Sequence, residues 1–333
     1  MEHSTINPPI DRNNRTTWTL TDGHAGNLRQ ALSLAGALGL ESARNWSLDP
    51  RAPWRWAAPR RLPGAGFAFG PEFTMALRDA PPALAIGCGR QAALATRLSR
   101  EAGAKAVQIL DPRIDPAHWD LVVAPEHDGL AGPNVITLLG SLNPVDDAWL
   151  ARARADFPTL AMLPRPRIAL LLGGSSRHAR FDRAAFDRLA AIVSGVLAGG
   201  GSILATASRR TDPGVSAALR ARMDDGSGDG WQGVAWLGAD DGPNPYPGLL
   251  AWADRIVCTP DSVNMVSEAC ATWAPVFVFD PAAARGRPRR FLAALLARGR
   301  IRPADATVAP FESHPLHETA RVAAEVKERL APG

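Results

Sequence analysis

Short runs rich in Val, Ile and Leu alternate along the chain with stretches of 10 to 16 residues whose apolar positions recur at helical spacing. Such alternation is the sequence form of a parallel sheet with crossover helices. TTWTLTDG (16–23) predicts a strand ending in a turn, and the helix after it carries Leu28, Ala31, Leu32, Ala35 and Leu38 on one face. PALAIGCG (82–89) predicts a strand leading into the helix RQAALATRLSREAG, and KAVQILDP, WDLVVAPEHD and NVITLLGSL follow as further strands. A second series begins beyond residue 164. Strands predicted at 167–173, 202–207, 233–237, 255–259 and 275–279 alternate with helices near 181–197, 212–222, 246–253, 262–271 and 287–298.

Two such series predict an α/β protein of two Rossmann-like doubly wound domains facing a central cleft. The 333 residues also exceed the roughly 250 to 300 that one core holds. The expected division is a disordered lead at 1–14, a first domain at 15–163, a second at 164–312, and a terminal helix within 313–333 that crosses back to the first. Pro164 and Pro166 make the join a stiff linker, and the Gly- and Asp-rich MDDGSGDGWQG (223–233) reads as a surface loop.

Composition changes this picture in three ways. A hydrophobic share of 46% with 21% charged residues describes a soluble globular chain. The net charge of +4 comes from scattered arginines rather than a stripe interleaved with aromatics, so no nucleic-acid partner is expected. An anionic small substrate and a peripheral contact with an anionic membrane surface fit that balance equally well. Cys88, Cys258 and Cys270 sit in apolar contexts at no metal-like spacing, which points to a reducing compartment and to neither a metal nor another cofactor. The longest apolar stretch, 192–207, is broken by four glycines and two serines, and the first 15 residues lack the pattern of a secretory signal. The expected location is cytoplasmic, at most peripheral to the inner membrane.

In doubly wound sheets, ligands sit at the carboxyl ends of strands, and the polar motifs cluster there. TDGHAGN (21–27) follows the first strand. Gly23 and Gly26 would let backbone N–H groups approach an anion or a sugar, with Asn27 beside them, while Asp22 and His24 could pair as base and orienter. Asp22 as a plain helix cap and His24 as a solvated side chain remain the alternative. LLGGSSR (171–177) places Gly173, Gly174, Ser175 and Ser176 as a backbone nest with hydroxyl donors, and Arg177 as a phosphate partner. Its spacing matches neither the Walker pattern nor the three-glycine dinucleotide fingerprint. Ser208, Arg209, Arg210 and Thr211 follow the next strand and can also meet phosphate, unless the arginines merely face solvent.

TPDSVNMVSEA (259–269) is the densest polar segment. Asp261, Ser262, Asn264 and Met265 occupy its loop and first helical turn, where they either cap orphan N–H groups or face a ligand. Glu268 lies one turn beyond Asn264, with Ser267 as its neighbour, so a carboxylate there could accept ribose hydroxyls while the helix N-terminus holds phosphate.

TDGHAGNLRQALSLAGALG, APEHD, NVITLLGSLN, LLGGSS, ASRRT and NPYPGLLAWADRIVCTPDSVNMVSEACAT together resemble bacterial relatives of the plant mitochondrial fission family, over about Trp18 to Phe279. That family is in turn similar to GT-B glycosyltransferases. The resemblance implies an acceptor domain whose Gly-rich first loop matches 23–26, and a donor domain whose Gly-Gly-Ser loop matches 173–175. It further implies that Glu268 holds the donor ribose, and that a sugar passes without a metal from a nucleoside-diphosphate sugar to a glycan or lipid-linked acceptor. Arg177, Arg209 and Arg210 would neutralise the leaving diphosphate. Asp22 or His24 would act as general base, with His127 and Asp128 of APEHDGL as the second pair. A non-catalytic scaffold with the same fold, or a nucleotide-sugar epimerase, is the alternative reading.

Overall fold

The structure, a computed structural model, describes residues 16–223 and 230–331. The expected lead at 1–14 and most of the loop at 223–233 lie outside the described residues. Among the described residues twelve strands form two sheets of six. The first comprises β1 (Thr17–Thr21), β2 (Arg44–Ser47), β3 (Leu84–Cys88), β4 (Lys105–Ile109), β5 (Leu121–Pro125) and β6 (Val135–Leu138), in the order β2-β1-β3-β4-β5-β6. The second comprises β7 (Arg167–Leu172), β8 (Ser202–Ala207), β9 (Gly233–Trp236), β10 (Arg255–Cys258), β11 (Val276–Val278) and β12 (Ile301–Pro303), in the order β12-β11-β10-β7-β8-β9. Neighbouring strands run parallel, with Trp18 opposite Arg44 and Ala85, and Ile168 opposite Ile203 and Arg255.

The helices are α1 (Ala25–Ala37), α2 (Trp54–Ala57), α3 (Pro71–Asp79), α4 (Arg90–Glu101), α5 (Asp147–Asp156), α6 (Arg183–Leu197), α7 (Pro213–Met223), α8 (Tyr246–Trp252), α9 (Val263–Cys270), α10 (Gly286–Ala297) and α11 (Glu318–Leu330). Both expected strand series are present. The additional edge strands β2 and β12 had no strong apolar signature, since only Trp46 and Ile301, respectively, are buried in them.

The chain divides into two compact units. The first holds the described residues up to Ala124, Ala131–Ile136 and those from Val322 on, and the second holds Pro125–Leu130 and Thr137–Arg321. Residues 137–163 therefore group with the second unit, where the sequence suggested a boundary after 163. The cause is packing: Leu150, Ala153 and Leu160 are buried in one core with Leu249, Leu250 and Ala251 of α8.

Each unit is organised by its central strands. In the second, β7 and β8 are buried along their whole length, as strands covered by helices on both faces must be. Side-chain alternation sends Ile168, Leu170 and Leu172 to the layer of Phe186, Leu189 and Val215, and Ala169 and Leu171 to that of Leu249, Val266 and Leu292. In the first, Trp18 and Leu20 of β1 meet Trp46, Phe73 and Ala92, with the Trp18–Trp46 and Trp46–Phe73 rings both 5.3 Å apart.

Candidate functional site

The strand order of each sheet reverses once, between β1 and β3 in the first and between β7 and β10 in the second, and the loops at such a reversal open the crevice where ligands bind. In the second unit three loops converge there. Asp261, whose side chain is fully buried, accepts hydrogen bonds from Thr259 Oγ1 at 2.6 Å, Gly174 N at 3.0 Å and Arg210 Nη2 at 3.1 Å. One carboxylate thus ties together the segments after β7, β8 and β10. Gly173 N donates to Thr259 Oγ1 at 2.8 Å, and the Thr211 hydroxyl meets Gly173 O at 2.6 Å. Glycine is required at both loop positions. A Cβ on Gly173 would lie 2.2 Å from Asp261 Oδ1, and one on Gly174 would lie 1.9 Å from the Arg210 carbonyl oxygen.

This network alters the expectation for the Gly-Gly-Ser segment. The Gly173 and Gly174 N–H groups, read as a cradle for phosphate, hold the protein's own oxygens. The two serines close the loop as well: Ser175 Oγ accepts from Phe181 N at 3.0 Å, and Ser176 Oγ accepts from His178 N at 3.1 Å and Ala179 N at 3.3 Å. Ser208 Oγ accepts from Arg210 N at 3.2 Å. Positive charge remains at the loop rims, where Arg177 and Arg209 are exposed and the Arg210 side chain is 53% exposed.

Ser262 is the N-cap of α9, its hydroxyl accepting from Met265 N at 3.4 Å, and Asn264 and Met265 are half-buried in the first turn. At the other end of α9, buried Arg300 donates to Cys270 O at 3.1 Å and Thr272 O at 2.8 Å, satisfying terminal carbonyls. The helix is therefore held at both ends. Ser267 turns inward, donating to Val263 O at 2.8 Å and accepting from Ser141 N at 3.1 Å. Glu268 is only 2% exposed and accepts a hydrogen bond from the Tyr246 hydroxyl. Tyr246 escaped the sequence reading although it is the chain's single tyrosine, in NPYPGLL.

In the first unit the aspartate at the reversal is Asp22, which follows the opening strand β1. Its Oδ1 accepts from Asn27 Nδ2 at 3.0 Å and His24 N at 3.1 Å, and lies 3.2 Å from His24 Nδ1. The imidazole is 81% exposed against 20% for the carboxylate. Asp22 and His24 are thus brought together, with Nδ1 toward the carboxylate and Nε2 on the outer edge of the ring, the arrangement of a base and its orienter. Gly23 has φ +75° and faces Ser47, while Gly26 lies within α1. Gly89, after β3, has φ +91°, and a Cβ there would lie 2.6 Å from Asn27 Nδ2.

His127 and Asp128 belong to the second unit. Nε2 of His127 is 3.9 Å from Asp128 Oδ1, which is 2.8 Å from Arg287 Nε, and Arg290 donates twice to the His127 carbonyl at 3.0 and 2.7 Å. The imidazole packs against Phe291, and burial lowers its pKa more than Asp128 raises it, with Arg287 and Arg290 lowering it further. It is held neutral. Burial raises the pKa of all three thiols, Cys270 to about 12, so none is a thiolate nucleophile. Among the described residues no three His, Cys, Asp or Glu side chains gather as a metal site, and no helix is long and apolar enough to cross a membrane.

Comparison with known proteins places this architecture. The family model described as mitochondrial fission ELM1 matches residues 25–330. The chain belongs to the mitochondrial fission ELM1 family. It is 29% identical over 280 residues to the mitochondrial fission protein ELM1 of Arabidopsis thaliana, covering 75% of this chain and 64% of the plant protein. The chain thus spans less than two thirds of that relative's length. Among solved structures, the UDP-GlcNAc 2-epimerase of Methanocaldococcus jannaschii superposes with a TM-score of 0.52 at 12% identity, covering 94% of this chain and 99% of that one. MurG of Acinetobacter baumannii superposes with a TM-score of 0.51 at 14% identity, with the same coverage. At these identities the likeness concerns fold: the family member has a GT-B-like architecture, the one expected from its sequence.

Proposed function

We propose that the second unit of this ELM1-family protein binds a nucleoside-diphosphate sugar at the β7/β10 reversal, and that the protein transfers the sugar to a hydroxyl of a glycan or lipid-linked acceptor bound by the first unit. The observation that carries the reading is the set of three arginines, Arg177, Arg209 and Arg210, in the loops after β7 and β8, with Arg210 held by Asp261 next to the Ser262 cap of α9. Cationic side chains and a helix dipole stabilise the charge that develops on a departing diphosphate without a metal ion. The acceptor hydroxyl attacks the anomeric carbon, its proton passes to the Asp22–His24 pair, and the bond from that carbon to the diphosphate oxygen breaks. Glu268 receives the donor ribose, exchanging or sharing the Tyr246 hydroxyl that it now accepts.

A non-catalytic reading is favoured by one specific observation, the occupation of the Gly173–Gly174 N–H groups by internal acceptors. The name of the plant relative, a mitochondrial fission protein, agrees with it. Contact with an anionic lipid surface fits either reading. Trp56 and Phe67 are 73% and 68% exposed, and Arg51, Arg55, Arg60 and Arg61 lie around Trp56 on the eleven residues 51–61, which include no acid.

Thermal melting against nucleoside diphosphates and nucleotide sugars tests the transferase reading. A melting temperature raised by one nucleotide in the native protein, and not in Glu268→Gln, is expected. The absence of any shift in a folded protein would transfer the argument to the scaffold. Nucleotide turnover would then separate the enzymes: release of the diphosphate only with an acceptor is transfer, and release without one is epimerase or hydrolase chemistry.

A further inference from the structure

We propose that Asp261 is a resident counter-ion that competes with diphosphate for Arg210 and so sets how tightly the second unit holds, and how readily it releases, an anionic ligand. The identity of that ligand as a nucleoside diphosphate rests on the reading above; the competition does not. Asp261 stands between β7 and β10, where a phosphate would be expected in a doubly wound sheet. Its partners are those a phosphate seeks: a backbone N–H from a glycine loop, a hydroxyl and a guanidinium, at 2.6 to 3.1 Å. The carboxylate is buried while the Arg210 side chain is 53% exposed, so the arginine can turn outward but the aspartate cannot follow it.

The arrangement has a definite consequence for an incoming anion. To engage Arg210, a phosphate must draw the guanidinium away from a buried carboxylate, which raises the cost of binding and returns the arginine when the product leaves. Among the described residues Arg177 and Arg209 have no such internal acid: Arg177 Nε meets His178 Nε2 at 2.9 Å and Arg209 is exposed. The three arginines are therefore unequal, and Asp261 is the reason.

Asp261→Asn isolates the charge. The amide oxygen can keep Gly174 N and Arg210, which share Oδ2, while the amide NH2 faces Thr259 Oγ1 in place of Oδ1. The probe is inorganic pyrophosphate, titrated calorimetrically into native protein, Asp261→Asn, Arg210→Ala and the double variant at low and moderate salt. Asp261→Asn should bind about three- to tenfold more tightly than native, since an ion pair half open to solvent is worth about 1 kcal/mol. Damage to the loops would weaken binding instead, so a gain in affinity separates competition from a structural role. The gain should vanish when Arg210→Ala is added. Equal or weaker pyrophosphate binding by a folded Asp261→Asn, or a gain that survives loss of Arg210, overturns the proposal, as does no binding by either protein. Parallel titrations with nucleoside diphosphates distinguish the two claims: pyrophosphate tightening without any nucleotide binding would leave the counter-ion standing and remove the donor-site reading.

Discussion

Each unit places an aspartate at the reversal of its strand order, Asp22 after the opening strand β1 and Asp261 after β10, across the reversal from the opening strand β7, and uses it differently. Asp22 and Asp261 both follow a central strand at the reversal of their sheets, and both sit close to a glycine of a neighbouring loop. Asp261 is enclosed and shared among three segments, so it organises the loops around it. Asp22 is one-fifth exposed, and its partners are the amide of Asn27 and an imidazole that is mostly in solvent. Standing at the reversal of strand order therefore does not by itself decide a carboxylate's role. What decides it is how many donors the protein itself supplies and whether water can reach the pair.

The contrast can be broken most severely at the glycines. Gly174→Ala should cost about 3 kcal/mol, because its Cβ would meet a backbone carbonyl that cannot rotate away, whereas Gly23→Ala meets the mobile Ser47 hydroxyl and should cost about 1 to 2 kcal/mol, mostly from its positive φ. Urea unfolding of the two variants measures the difference. Asp261→Ala should lose about 2 to 3 kcal/mol by leaving the Gly174 N–H without an acceptor, against less than about 1 kcal/mol for Asp22→Ala. Equal losses would mean that burial does not separate the two aspartates. Tyr246→Phe removes the hydroxyl that Glu268 accepts and should cost about 1 to 2 kcal/mol, read from the same unfolding curves.

The smallest effect concerns pH. The pKa of His127 is lowered in the folded protein, so below the ordinary value near 6.5 the unfolded chain binds the proton first. Stability should fall as pH drops from that value toward the lowered one and be unaffected by this group above it. Replacing His127 with Asn should flatten the midpoint-versus-pH curve on that acidic side. An unchanged slope would place the imidazole in contact with solvent.

The fold was legible wherever apolar pattern and burial coincide. β7 and β8 are buried at every residue, and their runs of Ile, Leu and Ala announced them. β2 was silent because Arg44, Asn45 and Ser47 are exposed and Trp46 alone enters the core. β12 has three residues and ends in proline, so its pairing to β11 depends on neighbours rather than on its own sequence. Candidate-site positions were legible as polar clusters after strands, but partnerships were not. Nothing local to Asp261 tells that Arg210, 51 residues away, reaches it, or that Tyr246 donates to Glu268 across 22 residues. Long-range hydrogen bonds belong to the assembled sheet, and a pattern along one strand does not encode them.

The Tyr246–Glu268 contact also gives this protein a built-in reporter. With a single tyrosine in 333 residues, 13C labelling of that amino acid at the hydroxyl-bearing ring carbon yields one resonance, and its environment is the carboxylate on α9. A ligand that displaces the phenol moves a lone, already assigned peak. Occupancy at this helix can then be followed by NMR without attaching a probe or choosing the sugar in advance.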